Sequence, residues 1–91
     1  MTFEWDENKR KANLAKHSID FLDVKPVFYD PCKIEKIDNR KDYGEIKANT
    51  IGKFQDEVIV TVTHTARTGV IRIISARQAD KKERNLYYRN R

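Results

Sequence analysis

The sequence predicts an α+β domain with two N-terminal helices, an antiparallel meander of about four strands and a C-terminal helix. Apolar residues recur at helical spacing before residue 30. Between residues 33 and 75, β-branched residues dominate and alternate with polar ones. The chain has 91 residues without an internal repeat, so we expect one domain over residues 1–91.

The N-terminal segment predicts a short strand followed by a polar helix. Residues 3–5 read Phe-Glu-Trp and suit an edge strand. Asp6 is then placed as the N-cap of a helix from Glu7 to about Lys16. The apolar content of this helix is slight, so we expect it to lie on the surface of the domain.

A second helix is predicted after Asp20, which can act as its N-cap. Pro26 should make this helix short or bent, because proline lacks the N–H that an interior helical position donates. The residues expected to form its buried face are Phe21, Val24, Val27 and Phe28.

Four strands are predicted from KIEKI, IKANTIGKF, EVIVTVTHT and VIRIIS, separated by DNRKDYG, QD and ARTG. Such short connections imply antiparallel pairing. In the third strand, Val58, Val60, Val62 and His64 share an apolar face. The opposite, wetter face carries Ile59, Thr61, Thr63 and Thr65.

The last strand is expected to pass directly into the C-terminal helix. Ser75-Ala76-Arg77-Gln78 matches an S-x-x-Q capping box, which predicts a helix beginning at Ser75. On that helix, one stripe would contain Arg77, Lys81, Arg84 and Tyr88 at spacings of four, three and four.

The positive charge of the chain is concentrated at its C-terminal end. Nineteen Lys and Arg residues against 14 Asp and Glu residues give a net charge of +5. Residues 67–91 hold eight cations and two acids (+6), whereas residues 1–66 hold eleven and twelve (−1). Such a distribution is typical of proteins that bind phosphates, but equally of a solubilising helix or a surface for an acidic partner.

Composition excludes several classes of protein. The single cysteine, Cys32, cannot form an internal disulfide, and no apolar run could cross a membrane, so we expect a cytoplasmic location. One cysteine and two scattered histidines provide no metal-ligand spacing, and three glycines are too few for a phosphate-binding loop. We therefore expect neither a metal nor another cofactor.

Arginines and histidines are the candidate functional residues. Arg77 could clamp a phosphate or form a salt bridge with a carboxylate. His64 and His17 could transfer protons near neutral pH, or act as a hydrogen-bonded core-edge residue and a helix C-terminal cation, respectively. Arg67, at the start of the last hairpin, should lie roughly 20 Å from Arg77.

Two segments, which together cover most of the chain, read FEWDENKRKANLAKHSIDFLDVKPVFYDP (residues 3–31) and VIRIISARQADKKERNLYY (residues 70–88). In the order and spacing of their motifs they resemble the BrnT family of ribonuclease toxins from bacterial type II toxin–antitoxin pairs. Ser18 departs from the glycine usual after Lys-His, which concerns only a helix C-cap. Pro26 interrupts a helix that is usually alanine-rich in the family and could bend it.

The resemblance implies a RelE-like fold and a metal-independent endoribonuclease that arrests translation. It also implies neutralisation by a cognate ribbon-helix-helix antitoxin, in a heterotetramer of two toxins and two antitoxins. The predicted catalytic residues are His64, Arg67, Arg77 and His17, and the predicted RNA-binding residues are Lys16, Lys81, Arg84 and Tyr88. The rival hypothesis is a non-enzymatic basic module that docks an acidic protein or a nucleic acid.

Overall fold

Residues 1–42 and 45–90 are described by a computed structural model, with the side chains of residues 39–42 left undescribed. In this part of the chain, five strands form one sheet that is accompanied by three α-helices and a 3₁₀ helix. In chain order these elements are β1 (Thr2–Trp5), α1 (Glu7–His17), the 3₁₀ helix (Phe21–Asp23), α2 (Lys25–Tyr29), β2 (Ile34–Asp42), β3 (Glu45–Gln55), β4 (Val58–Arg67), β5 (Val70–Gln78) and α3 (Lys81–Arg89).

The predicted α+β class is confirmed, but the sheet is mixed and has one strand more than the meander. The strand order is β1-β5-β4-β3-β2. Strands β2 to β5 pair antiparallel as predicted, whereas β1 pairs parallel with β5. This arrangement places Phe3 and Trp5 against the main core, where their rings contact those of Phe28 and Phe21. A parallel pair needs a long connection between its strands, and the segment between β1 and β5, which includes the helical layer and three strands, supplies it.

Helix α1 follows the sequence prediction closely. The Asp6 carboxylate accepts a hydrogen bond from the Asn8 N–H (2.7 Å), and Leu14 is 42% exposed, as suits a surface helix. Asn13 is the buried residue of this helix. Its side-chain amide donates to the carbonyls of Ile19 and Ala76 (both 2.9 Å) and accepts from the Ala76 N–H (3.0 Å). A polar side chain therefore joins α1 to β5.

Ser18 ends α1 in the left-handed conformation, with φ 59° and ψ 28°. Glycine adopts these angles without the steric penalty of a Cβ. We expect Ser18→Gly to raise the free energy of unfolding by about 0.5–1 kcal/mol. Urea denaturation followed by circular dichroism would measure the change, and a loss of stability would contradict it.

The predicted second helix is interrupted, as Pro26 suggested. A 3₁₀ helix capped by Asp20 comes first, and α2 starts afresh with Pro26 in its first turn. At that position the missing N–H removes no intrahelical hydrogen bond. The predicted buried face is confirmed, because all four of its apolar residues are buried.

The two faces of the sheet have different coverings. The first, here called the helix face, packs against α1, the 3₁₀ helix and α2; its buried strand residues include Val60, Val62, Ile73 and Ala76. Gly52 belongs to this face, and a Cβ there would lie 2.9 Å from Val27 Cγ1. The second, here called the open face, is covered at one end by α3, which buries Ile51, Ile59, Ala79 and Tyr87.

The start of the C-terminal helix was predicted wrongly. Residues Ser75 to Gln78 continue β5 and pair with Thr63 to Val60, so the Ser75 capping box does not form. The helix begins at Lys81 instead, with Asp80 as its N-cap. Asp80 and Glu83 form the reciprocal capping box: Asp80 Oδ1 accepts from the Glu83 N–H (2.8 Å), and Glu83 Oε1 accepts from the Asp80 N–H (2.9 Å).

Two further boundaries differ from the sequence prediction. The segment DNRKDYG was predicted as a connection, yet its first five residues extend β2, with a register shift between Asp38 and Lys41. Tyr43 and Gly44 lie outside the described residues. In the part of the chain that is described, no helix is both long and apolar enough to cross a bilayer.

Candidate nucleic-acid interface

Beyond the end that α3 covers, the open face of the sheet carries polar and cationic side chains. Strand register places Thr61, Thr63 and Thr65 on this face, opposite residues of β3 and β5 that point the same way. Thr63 Oγ1 donates to Asn49 Oδ1 (2.7 Å), which shows that the two side chains share the face. The neighbouring residues on it are Lys36, Lys47, Arg72, Ser75 and Arg77.

The open face is therefore polar, as predicted, but its central threonines have little contact with solvent. Thr61 and Thr65 are buried, and Thr63 is partly buried. Thr61 is the cross-strand partner of Ile51 and Arg77, at the end of the face that α3 covers. The open face thus presents hydroxyl and amide groups, and the charged residues around them are Lys36, Lys47, Arg72 and Arg77 together with the acids Glu4 and Asp38.

Arg77 extends from β5 to the first turn of α3. Its Nη1 lies 2.8 Å from Glu83 Oε1 and its Nη2 lies 3.0 Å from Glu83 Oε2, which is a bidentate pair. The hydrogen bonds that Arg77 donates to Glu83 raise the pKa of Arg77. Burial by itself would raise the pKa of Glu83, but hydrogen bonds from Arg77 and the Asp80 N–H outweigh it and lower that pKa. Both groups are therefore charged at neutral pH.

The exposed side of α3 carries further cations. A shallow groove there is lined by Lys81, Lys82, Asn85, Tyr88 and Arg89. The predicted stripe is thus partly present, since Lys81 and Tyr88 line one groove. Arg84 turns away, because its Nη1 donates to the Ala79 carbonyl (2.7 Å) near the start of β4. Cations beside an exposed aromatic ring suit the backbone and bases of a single-stranded nucleic acid.

His64 lies on the helix face and is 4% exposed. Its Nε2 is 2.8 Å from Thr50 Oγ1, and its ring meets that of Phe28 edge-on at 5.0 Å. Burial lowers the pKa of His64, with Glu35 acting in the opposite direction, so the imidazole is neutral at pH 7. Its ring helps to line a separate pocket with Glu35, Ile37, Glu45 and Arg67 among the other wall residues.

The remaining candidates are dispersed. Lys16 and His17 form the last turn of α1, within the helical layer. Arg67 ends β4 and bonds to Glu45 Oε2 (3.2 Å). Arg67 lies six residues along β4 from Thr61, which is the cross-strand partner of Arg77. The distance between Arg67 and Arg77 is therefore roughly 20 Å along the sheet, in agreement with the sequence prediction. Among the described residues, no three His, Cys, Asp or Glu side chains are grouped to hold a metal ion.

The structure thus unites some predicted residues and separates others. Arg77 meets α3, which carries Lys81 and Tyr88, whereas His64 lies on the opposite side of the sheet. Sequence reasoning missed Lys36, Lys47 and Asn49. Their place on the open face follows only from the pairing register, although the Thr61, Thr63 and Thr65 alternation was a visible signal of a polar face.

Comparison with known proteins agrees with this architecture. A family model for the ribonuclease toxin BrnT of type II toxin–antitoxin systems matches residues 5–83. The 1.1 Å crystal structure of the Brucella abortus ribonuclease toxin BrnT is similar, with 30% sequence identity and a TM-score of 0.68. The similarity covers 89% of this chain and 99% of the Brucella chain. Comparison with curated protein sequences gives no match. Since the family match spans most of the chain and confirms the resemblance in the motifs, the chain belongs to the BrnT family of ribonuclease toxins.

Proposed function

We propose that this chain is an endoribonuclease toxin that cleaves RNA without a metal ion, and that its substrate lies along the open face and the α3 groove. The observation that carries the proposal is the arrangement around Arg77. The Arg77 guanidinium, which is paired with Glu83, shares the open face with hydroxyl and amide side chains and with two lysines of the sheet, and the helix that it contacts carries further lysines. Such a surface can bind several phosphates of one strand.

Charge favours this surface over the pocket beside His64. That pocket has two acidic wall residues, Glu35 and Glu45, and the cation on its wall, Arg67, is already paired with Glu45. A phosphate entering it would meet more negative than positive charge. The pocket is therefore a poor site for RNA, although it is the only one of the two that contains a histidine.

Metal-free cleavage uses the 2′-hydroxyl of the substrate as the nucleophile. The protein must then stabilise the additional negative charge on the phosphorus centre and assist proton transfer at two oxygens. Arg77 can perform the first task when the phosphate takes the place of Glu83, because the two parallel N–H groups of its fork match two phosphate oxygens. Lys81 and Tyr88 in the α3 groove, and Arg67 at the far end of the sheet, would hold the flanking nucleotides.

Proton transfer by His64 or His17 stays a prediction. A substrate held at Arg77 would have the sheet between it and His64. The experiment is His64→Gln, which retains a side chain able to bond to Thr50. A fall in cleavage rate without a fall in thermal stability would support proton transfer; an unchanged rate would assign His64 to the core.

The biological role that we propose follows from the family. Cleavage of cytoplasmic mRNA would arrest translation, and a cognate antitoxin would neutralise the toxin. A ribbon-helix-helix antitoxin and a heterotetramer of two toxins and two antitoxins belong to the same proposal. Expression of this chain with and without its neighbouring gene, read as bacterial growth, tests the neutralisation.

We expect the purified protein to cut mRNA into discrete fragments when EDTA is present. The physical reason is that 2′-hydroxyl attack needs charge stabilisation and proton transfer, which side chains can provide. Gel electrophoresis of a labelled transcript would show the fragments, with an Arg77→Ala preparation as the control for contaminating nucleases. Intact RNA would instead favour the non-enzymatic binding module, which uses the same cationic surface only for docking.

A further inference from the structure

The Glu83 carboxylate is surrounded by the donors that a phosphate would need. Two N–H groups of Arg77 reach its two oxygens at 2.8 and 3.0 Å, and the Asp80 N–H reaches Oε1 at 2.9 Å. Arginine and a free N–H at a helix N-terminus are the usual elements of an anion site. In this chain, the anion that occupies the site is one of its own side chains.

A fourth donor in the site, the hydroxyl of Thr61, has no partner. The Thr61 hydroxyl is buried, with the residue 1% exposed, and it makes no hydrogen bond. Thr61 pairs across the strands with Arg77, so its side chain points to the same face. The hydroxyl helps to lower the pKa of Glu83, although its geometry falls short of a hydrogen bond. It is thus directed towards the carboxylate without being satisfied by it, and such groups are uncommon in folded proteins.

A phosphate matches this set of donors better than a carboxylate does. A carboxylate presents two oxygens, which Arg77 already engages. A phosphodiester presents two charged oxygens with the same spacing for the arginine fork, together with ester oxygens that can accept from a hydroxyl. The unsatisfied Thr61 hydroxyl is where a ligand with more acceptor atoms than a carboxylate would gain a bond.

We propose that Arg77, the Asp80 N–H and Thr61 form a phosphate subsite of the RNA surface, and that Glu83 fills it as an internal competitor until a substrate phosphate displaces the carboxylate. This inference rests on the proposed function in one respect, namely that the open face is the side on which RNA lies.

The Arg77–Glu83 pair is accessible enough for a ligand to displace the carboxylate. The side chains of Arg77 and Glu83 are 43% and 19% exposed, so a ligand can reach them and water screens part of their attraction. Rotation of the Glu83 side chain would not release the helix, because Asp80 Oδ1 still accepts from the Glu83 N–H. The first turn of α3 therefore keeps its N-cap while the subsite empties.

The test is the affinity of Glu83→Gln for an RNA that cannot be cleaved. The probe is a fluorescein-labelled oligonucleotide with 2′-O-methyl groups, titrated at low salt and followed by fluorescence polarisation. Glutamine retains the acceptor for the Asp80 N–H but removes the competing charge. We expect the Kd to fall by about two- to fivefold, the scale of one partly exposed ion pair.

A matched control exists on the other side of the molecule. Glu7 is also in the first turn of a helix and forms a bidentate pair with an arginine, Arg10, but it belongs to α1. Glu7→Gln changes the net charge equally and should leave the affinity near that of the wild type. The gain should also vanish in Glu83→Gln/Arg77→Lys, because lysine lacks the fork.

Equal affinities of Glu83→Gln and Glu7→Gln would overturn the subsite. If Glu83→Gln fails to fold, the wild-type protein decides: addition of inorganic phosphate should shift the Arg77 Nε resonance in a ¹⁵N spectrum, and an unmoved resonance would refute the proposal. Neither measurement depends on cleavage. Tighter binding by Glu83→Gln in a chain that leaves RNA intact would refute the nuclease activity while supporting the subsite.

Discussion

Replacement of Asn13 by alanine is expected to lower the free energy of unfolding by about 3–5 kcal/mol, because it leaves several buried backbone groups without partners. The Asn13 side chain bonds to the N–H and the carbonyl of Ala76 and to the carbonyl of Ile19. Alanine can replace none of these three bonds. Water has little access, since Asn13 is 6% exposed and Ala76 is fully buried.

The size of this effect follows from what Asn13 connects. Ala76 is 63 residues away in sequence, on a strand that pairs with β4 on one side and β1 on the other. At Ala76, however, β5 has passed the end of β1 and pairs only with β4, so the Asn13 side chain takes the place of a strand neighbour and fixes α1 against the sheet. Helix α1 has few apolar contacts of its own, so little else can compensate for the loss.

Equilibrium unfolding in urea would measure the change. Asn8→Ala is the matched control, because Asn8 lies on the same helix but is exposed to solvent. Its free energy of unfolding is expected to change by no more than about 0.5 kcal/mol. A loss smaller than 1 kcal/mol in Asn13→Ala would show that water or a shift of α1 satisfies the stranded groups.

Local signals in the sequence were sufficient for much of the fold. Asp6 begins α1, and the apolar residues on both sides of Pro26 lie in the core as their spacing predicted. The antiparallel pairing of β2 to β5 followed from short connections. In each case the deciding interaction is between residues close in sequence, or depends only on the alternation of polar and apolar positions.

The errors arose where distant partners decide the structure. Two capping boxes compete near the C-terminus, one at Ser75 and one at Asp80. The Ser75 box does not form because residues 75–78 pair with β4. This pairing depends on a strand outside the segment, so the sequence of residues 75–78 alone does not predict it. The parallel pairing of β1 and the burial of Asn13 likewise depend on partners that are far away in the sequence.

The candidate site shows the same division. Alternation correctly placed His64 with Val60 and Val62 on an apolar face. It gave no information on Arg77, which pairs with Thr61 on the opposite face. The sequence predicted the residue types of an RNA surface, but the pairing register decides which of them share a side of the sheet.

Arg77→Ala is expected to reduce kcat/KM for RNA cleavage by about 10²–10³-fold, the scale found when one preorganised donor to a developing oxyanion is removed. This result assumes the proposed site, in which the guanidinium binds the scissile phosphate. Arg67→Ala should reduce it by less than about tenfold, because Arg67 lies roughly 20 Å along the sheet and could touch only a flanking nucleotide. A fluorogenic RNA substrate in EDTA would provide both rates.

Loss of the fold must be separated from loss of chemistry, since Arg77→Ala also leaves Glu83 without its partner in a partly buried position. The double variant Arg77→Ala/Glu83→Gln removes that stranded charge. The melting temperature of the double variant should be closer to that of the wild type than the melting temperature of Arg77→Ala is. Its cleavage rate should stay low. If the double variant regains full cleavage, the guanidinium serves only to neutralise Glu83, and the phosphate must be stabilised by other cations of the open face.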